Sequence, residues 1–108
     1  MQYGQFCPIA KATEILGEKW TLLIVREILM GGRRFSELQR GLSMISPAVL
    51  TSRLNALVEA ELIVKQRIPG QRGSEYRPTP SCKELLPILN ALGSWGLKWT
   101  RDRLTDDD

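Results

Sequence analysis

The chain has 108 residues, with 15 lysine and arginine side chains against 12 aspartate and glutamate side chains, and it contains no histidine. This length fits one domain. The lack of histidine excludes a Ser-His-Asp triad, a Cys-His dyad and a histidine-ligated zinc site, and the two cysteines, Cys7 and Cys82, are too few for a cysteine cage. We therefore expect no metal, no cofactor and no enzyme activity.

Positive charge is concentrated in the middle of the chain. Residues 31–80 carry eight basic and four acidic side chains, whereas residues 1–30 carry three of each. This distribution indicates a polyanionic partner for the middle segment. Two cysteines far apart in sequence suit a reducing compartment, and neither a membrane-length apolar run nor a signal-peptide pattern is present. We therefore expect a cytoplasmic protein with no membrane partner.

Proline, glycine and serine mark the boundaries of the predicted helices. The second helix is apolar nearly all round, so it is expected to be a buried central helix that stops at Gly31-Gly32. The third is predicted to begin with a capping box formed by Ser36 and Gln39. Pro87 is expected to kink the fifth helix. In chain order, the predicted helices cover residues 8–16, 18–30, 36–41, 46–61 and 79–101.

The fourth helix has the strongest start signal, with Ser46 as N-cap and Pro47 in the first turn. Residues 62–68 alternate in hydrophobicity as a half-buried strand does, and a turn at 69–74 leads to a second strand that Pro78 confines to a sheet edge. A short helix, a capped helix and a hairpin with a basic tip follow the order of a winged helix-turn-helix. The expected apolar stripe of the fourth helix consists of Leu50, Leu54, Leu57 and Val58.

The face opposite this stripe carries small and polar side chains that can approach base edges in the major groove of DNA. The predicted base contacts are Ser46, Ala48, Thr51, Ser52 and Asn55. The predicted phosphate contacts are Arg33, Arg34, Ser36, Arg40, Arg53 and Arg72. Solvated surface charge is the alternative for these arginines, and Arg53 lies close enough to the stripe to extend beside the core instead.

Several motifs occur in a fixed order along the chain: Cys7-Pro8-Ile9, Gly17-Glu18-Lys19-Trp20-Thr21-Leu22-Leu23-Ile24, Arg33-Arg34-Phe35-Ser36-Glu37-Leu38, Ile45-Ser46-Pro47, Leu50-Thr51, Arg53-Leu54, Glu75-Tyr76, Leu85-Leu86-Pro87-Ile88-Leu89 and Trp95-Gly96. Together they resemble the HxlR family of bacterial and archaeal transcriptional regulators, relatives of the MarR type. The resemblance covers residues 7–99 and implies a homodimer built from the terminal helices, bound to an inverted-repeat DNA operator. It also implies that Cys7 occupies the position of a cysteine that senses oxidants or electrophiles in several members. Two departures are Ser81-Cys82, in place of a usual Leu-Gly pair, and Ala48, at a position that is often basic.

The terminal helices carry apolar stripes that a soluble monomer would not leave bare. A helix start with Lys11 one turn away favours a reactive thiolate at Cys7, and the alternative is an ordinary residue at a helix start. For Cys82, packing is favoured over a role as resolving thiol. The expected dimer interface consists of Ile9, Leu85, Ile88, Leu92, Trp95 and Trp99.

Together these features predict a homodimeric, sequence-specific DNA-binding transcriptional regulator controlled by oxidation or alkylation of Cys7. Two alternatives remain open: a winged-helix module that binds an acidic protein surface, and a regulator of the same fold without cysteine sensing. The expected fold class is mainly α with a small β-hairpin, in one domain over residues 1–108. Its parts are an N-terminal dimer helix (7–17), the helix-turn-helix (33–61), the wing (62–78), a C-terminal dimer helix (79–101) and a frayed tail (102–108).

Overall fold

A computed structural model describes residues 7–100, which form six helices and one antiparallel hairpin. The elements are α1 (Pro8–Leu16), α2 (Thr21–Leu29), α3 (Phe35–Gly41), α4 (Pro47–Glu59), β1 (Ile63–Arg67), β2 (Ser74–Pro78), α5 (Pro80–Lys83) and α6 (Leu86–Thr100). In the hairpin, Ile63 lies opposite Pro78 and Arg67 lies opposite Ser74. This architecture confirms the predicted mainly helical fold with a wing. The predicted end of the last helix at 101 and the frayed tail at 102–108 lie outside the described residues.

The leucine stripe of α4 lies at the centre of the core, as predicted. Leu50, Leu54 and Leu57 are at most 1% exposed, and they pack in one cluster with buried residues of α2, α3 and the hairpin. The Ser46 Oγ accepts a hydrogen bond from the backbone N–H of Val49 at 3.2 Å, which confirms the predicted N-cap. The helix ends at Glu59, two residues earlier than predicted, and Glu61 then takes a left-handed φ of 63°.

Helix α2 begins three residues later than predicted. Trp20 has a left-handed φ of 81°, which a right-handed helix cannot include, so the helix starts at Thr21. It ends before Gly31, whose φ of 109° a residue with a Cβ rarely adopts. The expectation that α2 is buried on all sides is wrong for the single protomer, because Leu23 within the helix and Met30 at its C-cap are exposed. The buried face consists of Thr21, Ile24, Val25 and Ile28.

The C-terminal segment is broken into two helices instead of forming one kinked helix. A turn at residues 84–85 separates α5 from α6, and Pro87 is the second residue of α6. A proline lacks the N–H that helix interiors need, but the first turn leaves that N–H unpaired in any case. The helix therefore restarts just ahead of Pro87. Among residues 7–100, no helix has both the length and the apolar character to cross a membrane.

The hairpin is less buried than the predicted half-buried strand. Only Ile63, at the base of β1, and Tyr76, at the middle of β2, are buried, because the outer part of the hairpin extends away from the core. Two hydrogen bonds hold the two strands. The backbone N–H of Tyr76 donates to the carbonyl of Arg33 at 2.7 Å, and the Thr79 hydroxyl donates to the carbonyl of Leu62 at 2.9 Å.

Candidate DNA-binding site

The solvent face of α4 carries the predicted base contacts. Ala48, Thr51 and Asn55 are exposed on the side away from the leucine stripe. Ser46 is exposed as well, although its Oγ is already the acceptor of the helix cap. Ser52 lines a cleft of about 520 Å³ between α1 and α4, which also contains Glu14 and Glu18. The face available to a polyanion is therefore centred on Ala48, Thr51 and Asn55, with Ser52 at its border.

Three of the predicted phosphate contacts, Arg33, Arg53 and Arg34, bind backbone carbonyls of the protein itself. The Arg33 Nη1 donates to the carbonyls of Ile28 and Gly32 at 2.8 Å each, where it satisfies the end of α2 and complements the helix dipole. The Arg53 Nε donates to the carbonyl of Lys19 at 2.8 Å, and the side chain is half-buried. This geometry supports the alternative in which Arg53 extends beside the core.

Arg34 joins the third helix to the tip of the wing. Its Nη2 donates to the carbonyl of Arg72 at 2.7 Å, and its Nη1 donates to the Gln71 Oε1 at 3.1 Å. These partners are 38 and 37 positions away in sequence, so no local pattern could have shown the contact. By contrast, Arg40 and Arg72 are exposed, and within residues 7–100 no hydrogen bond or ion pair engages either guanidinium group.

The cap of α3 differs from the predicted Ser36–Gln39 box. The helix begins at Phe35, and the Glu37 Oε1 accepts hydrogen bonds from the backbone N–H groups of Arg34 at 2.8 Å and Arg33 at 3.0 Å. The N-cap is Arg34 instead of Ser36, so Glu37 is the third helical residue, from which a carboxylate reaches back to the N–H of the N-cap. Hydrogen bonds from these two N–H groups lower the pKa of Glu37 below its usual value, and the N–H of Arg34 contributes more than that of Arg33.

The wing surface presents further basic groups that were not among the predicted contacts. Lys65 and Arg67 are exposed on β1, and the Lys65 Nζ lies 5.9 Å from the centre of the Tyr76 ring. The Arg77 Nε instead forms an ion pair with the Glu75 Oε1 at 2.8 Å. Side chains two positions apart on a strand point to the same side, so Lys65 and Arg67 share one side of β1. This spacing is the sequence signal that could have added them to the predicted phosphate contacts.

The terminal helices leave most of the predicted interface uncovered in the single protomer. No residue of α6 is buried, and Ala10 is the only buried residue of α1. Leu85 differs from the others because it is half-buried against the core. A groove of about 430 Å³ runs between α1 and α6 and is lined mainly by apolar side chains, including Leu16 and Leu22. The exposed members of the predicted interface are Ile9, Ile88, Leu92, Trp95 and Trp99, with exposed fractions between 46% and 78%.

The two cysteines lie in opposite environments. Cys7 is exposed at the N-cap of α1, where its Sγ accepts a hydrogen bond from the backbone N–H of Ala10 at 3.4 Å. Lys11, one turn on, forms a 3.8 Å ion pair with Glu14. Cys82 is fully buried in the core, and burial raises the pKa of its thiol. The packing interpretation of Cys82 is therefore confirmed.

A capped helix with one face in the core and the other in solvent, preceded by a short helix and followed by a basic hairpin, defines a winged-helix DNA-binding protein. Residues 15–103 match the model of the HxlR-like helix-turn-helix family. The chain belongs to this family, so it is a DNA-binding transcriptional regulator and not an enzyme.

Individual relatives agree with this assignment. The chain is 37% identical over 102 residues to YvaP of Bacillus subtilis (strain 168), an uncharacterized HTH-type transcriptional regulator, covering 92% of this chain and 94% of YvaP. The crystal structure of the candidate transcription factor PA1607 superposes with a TM-score of 0.85 at 32% identity, covering 96% of this chain and 70% of that one. The reduced form of the regulator YodB from B. subtilis superposes with a TM-score of 0.75 at 27% identity, covering 88% and 95%.

Glu37 provides a test of the observed cap. We expect the Glu37→Gln variant to be less stable than the parent at pH 7, because it loses the charged acceptor of two backbone N–H groups. The native pKa of Glu37 lies below the unfolded value of about 4.3, so this stabilisation is present above that pH and is lost as the pH falls through the native pKa. Urea unfolding of both proteins between pH 7 and pH 3 measures the difference.

The Ser36→Ala variant is the control, because Ser36 belongs to the capping box that α3 does not use. It should keep the pH dependence of the parent. An equal stability difference between parent and Glu37→Gln at every pH would contradict the cap. So would a Ser36→Ala variant that removed the pH dependence.

Proposed function

We propose that the protein is a homodimeric regulator that binds an inverted-repeat DNA operator in the cytoplasm and responds to electrophiles or oxidants through Cys7. The observation that carries the DNA-binding part is the exposed face of α4 with Ala48, Thr51 and Asn55, next to a basic wing. Asn55 has the amide geometry that pairs with adenine, and Ala48 suits contact with a thymine methyl group. Arg40 and Arg72, whose guanidinium groups are exposed, then bind phosphates on either side.

The dimer follows from the apolar surface of the terminal helices. Trp95 and Trp99 are 60% and 63% exposed, and Ile88 and Leu92 extend the same stripe along α6. Soluble proteins rarely leave such a surface in water, and a two-fold dimer covers it with the same surface of a second copy. Two copies of α4 about 34 Å apart then reach successive major grooves on one side of the DNA.

The sensing proposal combines the position of Cys7 with the record of one relative. Cys7 is exposed, and its sulfur accepts a hydrogen bond from the backbone N–H of Ala10 at the start of α1. YodB is recorded in a reduced form, with quinone bound and after diamide treatment. In this chain the Cys7 sulfur would add to a quinone, forming a C–S bond while the ring takes up the thiol proton and becomes a hydroquinone.

Selection of bound DNA from a random library tests the DNA-binding proposal. We expect an inverted repeat and an affinity that falls steeply as salt rises, because phosphate contacts release counterions. The Asn55→Ala variant should lose roughly 1–3 kcal/mol of discrimination at one base pair in each half-site. Asn90→Ala on α6 is the matched control and should leave base preference unchanged.

Two results would contradict this proposal. One is a protein that prefers no DNA sequence, which would favour the module that binds an acidic protein surface. The other is equal loss of preference in the Asn55→Ala and Asn90→Ala variants.

A charge placed in the apolar stripe of α6 tests the dimer. We expect Leu92→Glu to run as a monomer in light scattering at concentrations where the parent is a dimer, because a carboxylate cannot be buried there without a partner. Val64→Glu changes another exposed apolar residue, 40% exposed on the wing, and should stay dimeric. A monomeric parent, or a Leu92→Glu variant that remains a dimer, would argue against the proposed interface.

Cys7→Ser tests sensing separately from binding. We expect benzoquinone to weaken binding of the parent protein to its selected operator, with the mass of one quinone added per chain. The Cys7→Ser variant keeps Cys82 and should bind the operator equally well with and without quinone. If both proteins release DNA to the same extent, Cys7 is not the sensor, and the regulator without cysteine sensing becomes the correct interpretation.

A further inference from the structure

The wing tip has little apolar packing to hold it in place. Within the described residues, the buried side chains of the hairpin are Ile63 at its base and Tyr76 at its middle, while residues 69–73 at the tip are exposed. A two-stranded hairpin on its own is marginally stable in water. Polar contacts with the body of the protein therefore decide where the tip lies.

Arg34 supplies such contacts. Its guanidinium group donates to the main-chain carbonyl of Arg72 and to the side chain of Gln71, two residues of the tip. Because Arg34 is the N-cap of α3, these bonds join the tip to the start of that helix. The Arg34 backbone is itself fixed, because its N–H donates to the Glu37 carboxylate at 2.8 Å. The planar fork of a guanidinium suits two acceptors at once, which a lysine ammonium does not match.

Gly73 gives an independent indication that this contact is built into the wing. A Cβ added at Gly73 would lie 3.3 Å from the Arg34 Nη2, which is tighter than ordinary van der Waals contact. Gly73 has a φ of 84°, and Gly70 in the same turn has a φ of 74° but no atom within 4 Å of its added Cβ. Both glycines therefore adopt a left-handed φ that disfavours other residues, but Arg34 approaches closely only at Gly73.

We propose that Arg34 is a positioning residue that ties the wing tip to α3 and thereby presents the Arg72 side chain to the DNA backbone. Arg34 then acts through Arg72 and is not an independent phosphate contact. This inference rests on the proposed DNA-binding function for its affinity measurements, whereas its effect on the free protein does not need DNA.

A double-mutant cycle measured on the selected operator tests this coupling. We expect Arg34→Ala to weaken binding roughly tenfold in the parent and to change it little when Arg72 is already alanine, because the tip then has no charge left to place. Arg72→Ala should also lower the slope of affinity against salt by about 1. If the two losses multiply independently, Arg34 is a phosphate contact and the proposal is wrong.

Conservative substitutions separate charge from geometry. Arg34→Lys keeps the charge and loses the fork, so we expect it to bind DNA almost as weakly as Arg34→Ala. Arg26→Lys on α2 is the matched control and should bind as the parent does, because Arg26 is not among the proposed DNA contacts and pairs with the neighbouring Glu27 at 3.0 Å. A fully active Arg34→Lys variant would overturn the positioning role.

Amide hydrogen exchange of the free protein gives a readout without DNA. The backbone N–H groups of Gln71 and Ile68 close the turn by donating to the carbonyls of Ile68 and Gly73. We expect these amides to exchange faster in Arg34→Ala and in Gly73→Ala than in Gly70→Ala, which shares only the backbone strain. Unchanged exchange in Arg34→Ala would overturn the tether, whereas faster exchange in a protein that binds no operator would retain the tether and reject the DNA-binding proposal.

Discussion

The packing of the leucine stripe of α4 in the core determines how the rest of the structure is arranged. Leu50 and Leu54 are 0% exposed, so the rotation of α4 about its axis cannot change without opening the core. That rotation determines which side chains face solvent, and it places Asn55 and Thr51 outside. Removing one buried leucine from such a site generally costs about 2–5 kcal/mol, a large part of the stability of a small domain. The same residues that stabilise the fold therefore select the surface that we propose for DNA binding.

Parts of this design could be predicted from the sequence because they depend on neighbours along the chain. Ser46 caps α4, glycine ends α2, and the spacing of the leucines defines a helical face, all within a few residues. The order of helix, helix and hairpin then specifies the winged helix. The predicted base contacts on α4 followed from the same spacing, since the exposed face of a helix is determined once its buried face is known.

Other parts depend on competition between groups and could not be predicted in this way. Ser36 and Gln39 match a capping box, yet α3 has Arg34 as its N-cap instead of Ser36. The competing box uses Glu37, whose carboxylate accepts hydrogen bonds from the N–H groups of Arg34 and Arg33. Arginines predicted as phosphate contacts also satisfy carbonyls that the chain brings near them only after folding, such as that of Lys19 for Arg53. A sequence shows the charge of an arginine but not its partner.

The hydrogen bond from Arg53 to the carbonyl of Lys19 also connects α1, the helix with the proposed sensor Cys7, to α4, the helix with the predicted base contacts. Helix α1 buries only Ala10 and is bordered by open grooves on the sides that face α4 and α6, so little packing opposes its displacement. The turn that follows α1 contains Lys19, whose carbonyl accepts the hydrogen bond from Arg53 on α4. A movement of α1 would therefore act on α4 through the chain itself as well as through the proposed dimer contact. This arrangement supports a role for Cys7, at the first turn of α1, in changing the placement of α4 on DNA.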